Sequence, residues 1–207
     1  MLVDTTPDFR TQALANKIGG VDLILFTHYH ADHIMGLDDV RPFNFRQKAV
    51  IPCLGDASTL AALRRVYSYA WDPSVPQGGG LPRLRLFEIR GPFSVGRVEV
   101  QPVPLLHGTH PILGFRLGAF AYLTDCSEIP DLSWPLLEGL DVLVLDALRH
   151  RPHSTHFTLA EAVETAERVD AGQTYFTHMC HDLPHEETCA GLPERMTLAH
   201  DGLVVEL

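Results

Sequence analysis

Long apolar runs are missing from this chain of 207 residues, and none approaches the roughly 20 residues that a membrane-spanning helix requires. The basic-then-apolar layout of a secretory leader is missing too, so a cytoplasmic location is the default expectation. Cysteine is scarce. The four present, Cys53, Cys126, Cys180 and Cys189, are scattered without a CxxC pair, which argues against a disulfide framework and for buried free thiols. Basic tracts are absent as well: 26 Asp and Glu outweigh 16 Lys and Arg, for a formal net charge of −10. A long polyanion is held through many Lys and Arg contacts to phosphates, so no long nucleic acid is expected as a partner. What remains is 45% hydrophobic with a mean hydropathy of +0.03, enough for one sizeable core and a single domain over residues 1–207.

Histidine, by contrast, is concentrated. His28-Tyr29-His30-Ala31-Asp32-His33 packs three imidazoles and a carboxylate into six residues, directly after the apolar run Val21 to Thr27. That run reads as a buried strand over 21–27, which puts the cluster in the loop leaving its C-terminal end. In an extended loop His28, His30 and Asp32 share one side, and His33 swings in as the chain turns. A catalytic metal takes about three protein ligands and keeps a position open, so a set this dense implies two metals, one on His28 and His30 and one on Asp32 and His33.

Elsewhere strands alternate with helices. Thr6-Pro7 resembles an N-cap followed by Pro at the first helical position, opening a helix over 8–18. A strand near 49–52, a helix from Asp56 through Tyr67, strands near 84–89, 97–105, 112–117 and 119–124, and a short helix near 131–138 follow. The stretch 72–80, with two Pro and three Gly, reads as a loop that overhangs the site. A buried strand over 141–145, a helix from the capping box at Thr158 to Val169, and strands over 173–177 and 203–207 complete the chain. Interleaved strand runs and helices suit an α/β fold, a four-layer αββα sandwich.

The six-residue cluster resembles the HxHxDH signature of the metallo-β-lactamase superfamily. The resemblance implies further ligands at later strand ends in the order His, Asp, His, and His107, Asp125 and His178 stand there. It assigns His28, His30 and His107 to one divalent ion and Asp32, His33 and His178 to a second, with Asp125 bridging; the ions implied are zinc or manganese. Cys126, beside Asp125, leaves some ambiguity at that position. His156, 22 residues before His178, matches a histidine that does not ligate metal in phosphodiesterases of this superfamily, where it contacts the scissile phosphate or protonates the leaving oxygen. The segments Asp4 to Arg10, Leu123 to Glu128 and Leu145 to Arg149 resemble the branch that opens phosphoribosyl cyclic phosphate in phosphonate breakdown. Relatives in that branch begin with additional strands, and many carry a structural zinc with a ligand at the place of His181. The chain therefore resembles a member without its N-terminal strands, with a first sheet short of strands and no metal on His181.

The expected activity is hydrolysis of a small, cyclic or acyclic, phosphodiester by a two-metal enzyme. Asp32 is expected both to ligate and to orient the attacking water, His156 to act as acid, and Asp4 to orient a ligand imidazole. Arg149 and Arg151 are candidate phosphate contacts, with a solvated surface role as the alternative. The expected partner is the small-molecule substrate, without a membrane, a homodimer being one assembly open to it. The alternative activity is thioester or lactone hydrolysis of the glyoxalase II type.

Overall fold

The computed structural model describes residues 1–76 and 80–206. The chain falls into two compact units, Met1–Arg90 and Gly91–Leu207, each with its own sheet and apolar core.

In the first unit β1 (Leu2–Val3), β2 (Ile24–Leu25), β3 (Ile51–Gly55) and β4 (Leu84–Glu88) pair in that order, every neighbour parallel. Parallel neighbours need crossovers. These are α1 (Phe9–Ala15), the short α2 (Ala31–Ile34) with α3 (Arg41–Gln47), and α4 (Ala57–Val66). As expected, α4 starts behind Asp56, whose Oδ1 accepts from the Thr59 amide at 2.9 Å. Of the apolar run 21–27 only Ile24 and Leu25 lie in the ladders to β1 and β3, with the Phe26 amide donating once more to Leu54 O at 2.7 Å. Val21, Leu23, Phe26 and Thr27 are nevertheless buried, the reason the run reads as continuous rather than alternating.

The chain leaving β1 is laced to the end of α2. The Thr5 amide donates to His33 O at 2.7 Å, the Gly36 amide donates to Thr5 O at 2.9 Å, and Thr5 Oγ1 donates to Ile34 O at 3.3 Å. A Cβ on Gly36 would stand 2.0 Å from Thr6 O, so only glycine permits this approach. The lacing also corrects the expected Thr6-Pro7 cap. Thr6 is held in the loop, the N-cap residue is Asp8 without a side-chain bond, and the helix opens at Phe9. α3 was not anticipated. Of the stretch 72–80, residues 77–79 lie outside the described residues, and the described remainder holds neither helix nor strand.

In the second unit β5 (Phe93–Val95), β6 (Val98–His107), β7 (His110–Leu117), β8 (Phe120–Leu123), β9 (Val142–Asp146), β10 (Gln173–Thr177) and β11 (Met196–Leu198) form a sheet ordered β11-β10-β9-β8-β7-β6-β5. The pairs from β5 to β8 are antiparallel and those from β8 to β11 parallel. Two antiparallel steps restore direction, so β6, β8, β9 and β10 all end on one rim. α5 (Leu159–Val169) carries the expected capping box: Thr158 Oγ1 accepts from the Glu161 amide at 3.2 Å, and Glu161 Oε2 accepts from the Thr158 amide at 2.8 Å. Its inward residues Leu159, Ala162 and Ala166 join Leu143, Leu145 and Phe176 in the core.

Of the expected final strand at 203–207, residue 207 lies outside the described residues, and residues 203–206 hold no strand. The Leu203 amide donates to His200 O in a turn, Gly202 has φ +81°, and the last strand is instead Met196–Leu198, beside β10. β11 and α6 (His185–Gly191) are too short to show a period in the sequence. No helix among the described residues is long and apolar enough to cross a membrane.

Gly36→Ala is expected to cost about 3 kcal/mol, the upper range for a forced contact in a packed interior, because the obstacle is a backbone oxygen. Chemical denaturation reads this directly; a change below about 0.5 kcal/mol, the scatter of neutral surface substitutions, shows that the close approach is not needed.

Candidate metal centre

In open α/β sheets ligands bind outside the carboxyl ends of the strands, where the connecting loops are free of the ladder. In the first unit Asp4 follows β1 and Thr27 and His28 follow β2. Asp4, at φ +56°, turns its carboxylate inward, where it is 5% exposed. Its Oδ1 accepts from the Thr27 amide at 2.8 Å. Its Oδ2 accepts from Thr27 Oγ1 at 2.7 Å and lies 2.7 Å from His33 Nδ1. Burial pushes this carboxyl up from its usual range, and the bonds to His33 and Thr27 oppose that rise.

The expected orienting role of Asp4 is thus present, with a consequence for two imidazoles. His33 donates Nδ1–H to Asp4, which makes Nε2 the atom that could ligate a metal. The Thr27 hydroxyl, having given its proton to Asp4, accepts from His28 Nδ1 at 3.1 Å. One carboxylate therefore sets both tautomers, His33 directly and His28 through Thr27. Sequence reading passed over Thr27; the signal it offered was a hydroxyl between a buried strand and the first ligand. His30 and Asp32 are exposed, His30 at the N-cap of α2 and Asp32 in its first turn. The His28 ring centroid stands 4.5 Å from that of His30 and 4.2 Å from that of His33.

In the second unit the common rim collects the remaining candidates. His107 ends β6 and donates Nδ1–H to Thr155 O at 2.8 Å, so here too Nε2 is the atom that could ligate a metal. Gly108, at φ +62°, starts the tight return into β7, and a Cβ there would meet Thr155 Cγ2 at 2.9 Å. Asp125 follows β8, is 1% exposed and accepts from Thr124 Oγ1 at 2.6 Å. His178 follows β10 with φ +60°, and its Nε2 is 3.2 Å from Asp125 Oδ1. His156 is buried, its ring stacked on that of His178 at 4.8 Å and 15°.

Asp146, the last residue of β9, is a second candidate, beside Thr27, that the sequence does not single out. It is fully buried. Its Oδ1 lies 3.2 Å from His156 Nδ1 and 3.6 Å from His178 Nδ1, and its Oδ2 accepts from the Phe157 amide at 3.1 Å. A carboxylate closing the apolar run Val142 to Leu145 was the available signal. Cys126 packs in the apolar cluster, where burial pushes its thiol well up, so Asp125 is the better donor of the two. Arg149 donates to the carbonyls of Arg151 and Pro152 within its own loop, and Arg151 pairs with Asp182, in the segment after β10, at 3.1 Å. The His181 side chain is 95% exposed and lies 3.5 Å from Asp182.

Donor chemistry and spacing fit a metal. Two ligands bound at about 2.0–2.1 Å in tetrahedral geometry stand about 3.3 Å apart. His178 Nε2 to Asp125 Oδ1 at 3.2 Å and His33 Nε2 to Asp32 Oδ2 at 3.5 Å match that separation. In the second unit Asp125, Asp146, His156 and His178 bring ligand atoms within 4.8 Å of one another. Imidazole and carboxylate donors suit zinc or manganese.

The model of the beta-lactamase superfamily domain matches residues 1–179, a span that contains every candidate ligand. The crystal structure of a diphosphatase of the PhnP family is 45% identical, with a TM-score of 0.92 over 100% of this chain and 79% of that one; the chain shares the metallo-β-lactamase fold. A protein of Porphyromonas gingivalis named Octanoyltransferase is 32% identical over 207 residues, 98% of this chain and 41% of that protein. A Ribonuclease Z of Pyrobaculum neutrophilum is 29% identical over 141 residues, 60% of this chain and 47% of that protein. The chain thus spans less than half the length of these curated relatives.

Removing the Thr27 hydroxyl separates the two imidazoles that Asp4 serves. Thr27→Val is expected to weaken metal binding by about 10–100-fold, the usual cost of losing an orienting partner, and Asp4→Ala, which frees His33 as well, to weaken it further. Competition against a chelator measures each, with Thr27→Ser as the retained-hydroxyl control. Equal metal affinity in Thr27→Val and the parent removes the hydroxyl from this role.

Proposed function

From the premise that this chain belongs to the beta-lactamase superfamily, and is with it a hydrolase, we propose that it cleaves a small phosphodiester, cyclic phosphates included, with two divalent metal ions. The family match runs across the boundary at Arg90 and supports reading residues 1–207 as one hydrolase domain. His28, His30 and His107 would hold one ion, and Asp32, His33 and His178 the other, with Asp125 bridging. When bound, such ions supply Lewis acidity toward phosphoryl oxygens and bring the pKa of water toward neutrality.

The observation that carries the reading is the Asp146–His156 pair. Asp146 Oδ1 accepts from His156 Nδ1 at 3.2 Å and its second oxygen accepts from the Phe157 amide, so the carboxylate orients the ring and supports the imidazolium form, in which Nε2 carries the proton for delivery. A phosphodiester expels an alkoxide, which needs that proton. A thioester expels a thiolate whose pKa near 8.5 lets it leave unprotonated. A buried, carboxylate-held acid therefore favours the phosphodiester over the thioester alternative. Asp32, exposed beside His33, orients the attacking water on this reading.

The names of two relatives agree in class: a diphosphatase and a Ribonuclease Z both act on phosphorus–oxygen bonds. The third names acyl transfer, but only 41% of that protein aligns with this chain, and the remainder is long enough to carry a separate activity. The charge of −10 supports a small substrate over a long polyanion, and a soluble cytoplasmic setting accords with the composition.

Elemental analysis of metal-supplemented protein is expected to approach two ions per chain, with bis-p-nitrophenyl phosphate hydrolysed faster than a glutathione thioester. A single ion unaffected by Asp32→Ala, or faster thioester cleavage, overturns the proposal. Ribose 1,2-cyclic phosphate is the first natural-type substrate to test.

His156→Ala is expected to retain both ions and lose about 10²–10⁴ in turnover, the scale of general acid catalysis. Loss of metal in that variant makes His156 a ligand instead.

A further inference from the structure

The first unit carries a groove of about 770 Å³ whose lining shares no residue with the metal centre. Its floor includes Phe9 and Phe43, with ring centroids 6.1 Å apart. Three large apolar side chains stand over it in the open: Leu14 is 71% exposed, Ile18 42% and Phe45 83%. Single exposed apolar residues need no account, but three gathered on one concave face do. The volume lies within the range of small-molecule sites.

The rim is cationic in a chain that is otherwise acidic. Arg10, Arg41, Arg46 and Arg83 line the groove against one carboxylate, Asp39. Arg41 is tied to Asp38 at 2.7 Å, whereas among the described residues Arg10, Arg46 and Arg83 make no ion pair. The wall is also set in advance. Asn44 is buried, its Oδ1 accepts from the Arg83 amide at 2.9 Å, and its Nδ2 donates to Ala49 O and Arg83 O at 3.0 Å each. This amide locks α3 to the strand entry at Arg83, so a ligand need not order the wall in order to bind.

We propose that this groove binds a small amphipathic anion, an apolar body ending in one carboxylate or phosphate. The body lies on Phe9, Phe43 and Phe45, and the head meets the guanidinium groups that lack a partner, which present paired N–H donors to such oxygens. Concavity selects a small ligand over a flat surface, and the unpaired arginines select an anion.

The test is calorimetric titration of the intact protein with decanoate below its micelle concentration, against decyltrimethylammonium, which has the same tail and the opposite head. Saturable binding of one decanoate per chain is expected, at least tenfold tighter than the cation. Arg46→Glu and Arg83→Glu are each expected to weaken it at least tenfold, while Arg64→Glu, on the exposed face of α4, leaves it unchanged. Circular dichroism confirms that the variants fold. No decanoate binding, equal binding of both heads, or binding indifferent to both rim variants overturns the proposal. Sedimentation with phosphatidylglycerol vesicles, or self-association lost in Phe45→Asp, in a protein that ignores decanoate overturns it in favour of a membrane surface or a second copy.

Discussion

Taking a carboxylate out of water costs several kcal/mol unless its oxygens are met by donors, and Asp4 is met on both. The Thr27 amide, the Thr27 hydroxyl and His33 Nδ1 converge on it, which ties the end of β1 to the end of β2 and to the first turn after it. Each of those bonds also restricts something a metal site needs: the exit direction of the chain, the orientation of His28, and the tautomer of His33. β1 is two residues long, so its two ladder positions alone hold it weakly; the buried carboxylate and the Thr5–His33 and Gly36–Thr5 bonds add what the ladder lacks. The cluster His28 to His33 is thus positioned less by its own loop than by a residue 24 positions before it.

The second unit reaches the same end by strand direction. An antiparallel step reverses the chain and two restore it, so β6 shares its sense with β8, β9 and β10, and four strand ends deliver His107, Asp125, Asp146 and His178 to one rim. Asp146 does there what Asp4 does in the first unit. It holds His156 by Nδ1 and the Phe157 amide by its other oxygen, and the next residue, Thr158, caps α5. The capping box is therefore more than a helix start, because it stops the chain from drawing His156 away from the rim.

Much of this could be read in the sequence because local signals and tertiary needs coincide. The dense spacing of HxHxDH has few structural explanations, and the Thr158 box and the Asp56 cap act within three residues of themselves. His107, Asp125 and His178 were reached only through the family resemblance, since a lone histidine after a strand is a weak signal. Thr27 and Asp146 escaped because their roles exist only across contacts with Asp4 and His156, 23 and 10 positions away. β1, β5 and β11 are two or three residues long, below any period, and exist because a neighbour supplies the ladder. The Thr6-Pro7 cap failed for the converse reason: a local motif yielded to the close approach of Gly36.

Charge is unequally shared between the units, and this bears on the proposed substrate. Ten of the 16 Lys and Arg but only nine of the 26 Asp and Glu fall in Met1–Arg90, so that unit is near neutral and Gly91–Leu207 carries essentially the whole net charge of −10. At physiological salt, exposed charges more than about 8 Å apart are largely screened. A single phosphodiester therefore responds to the groups within that radius, where proposed metal ions would outweigh the carboxylates. A nucleic acid presents a phosphate every few ångströms and must lie along whatever surface flanks the site, so repulsion from the acidic unit accumulates with length. On this reading the acidic surface acts as a length filter, admitting a small phosphodiester that the buried carboxylates have already arranged the imidazoles to receive.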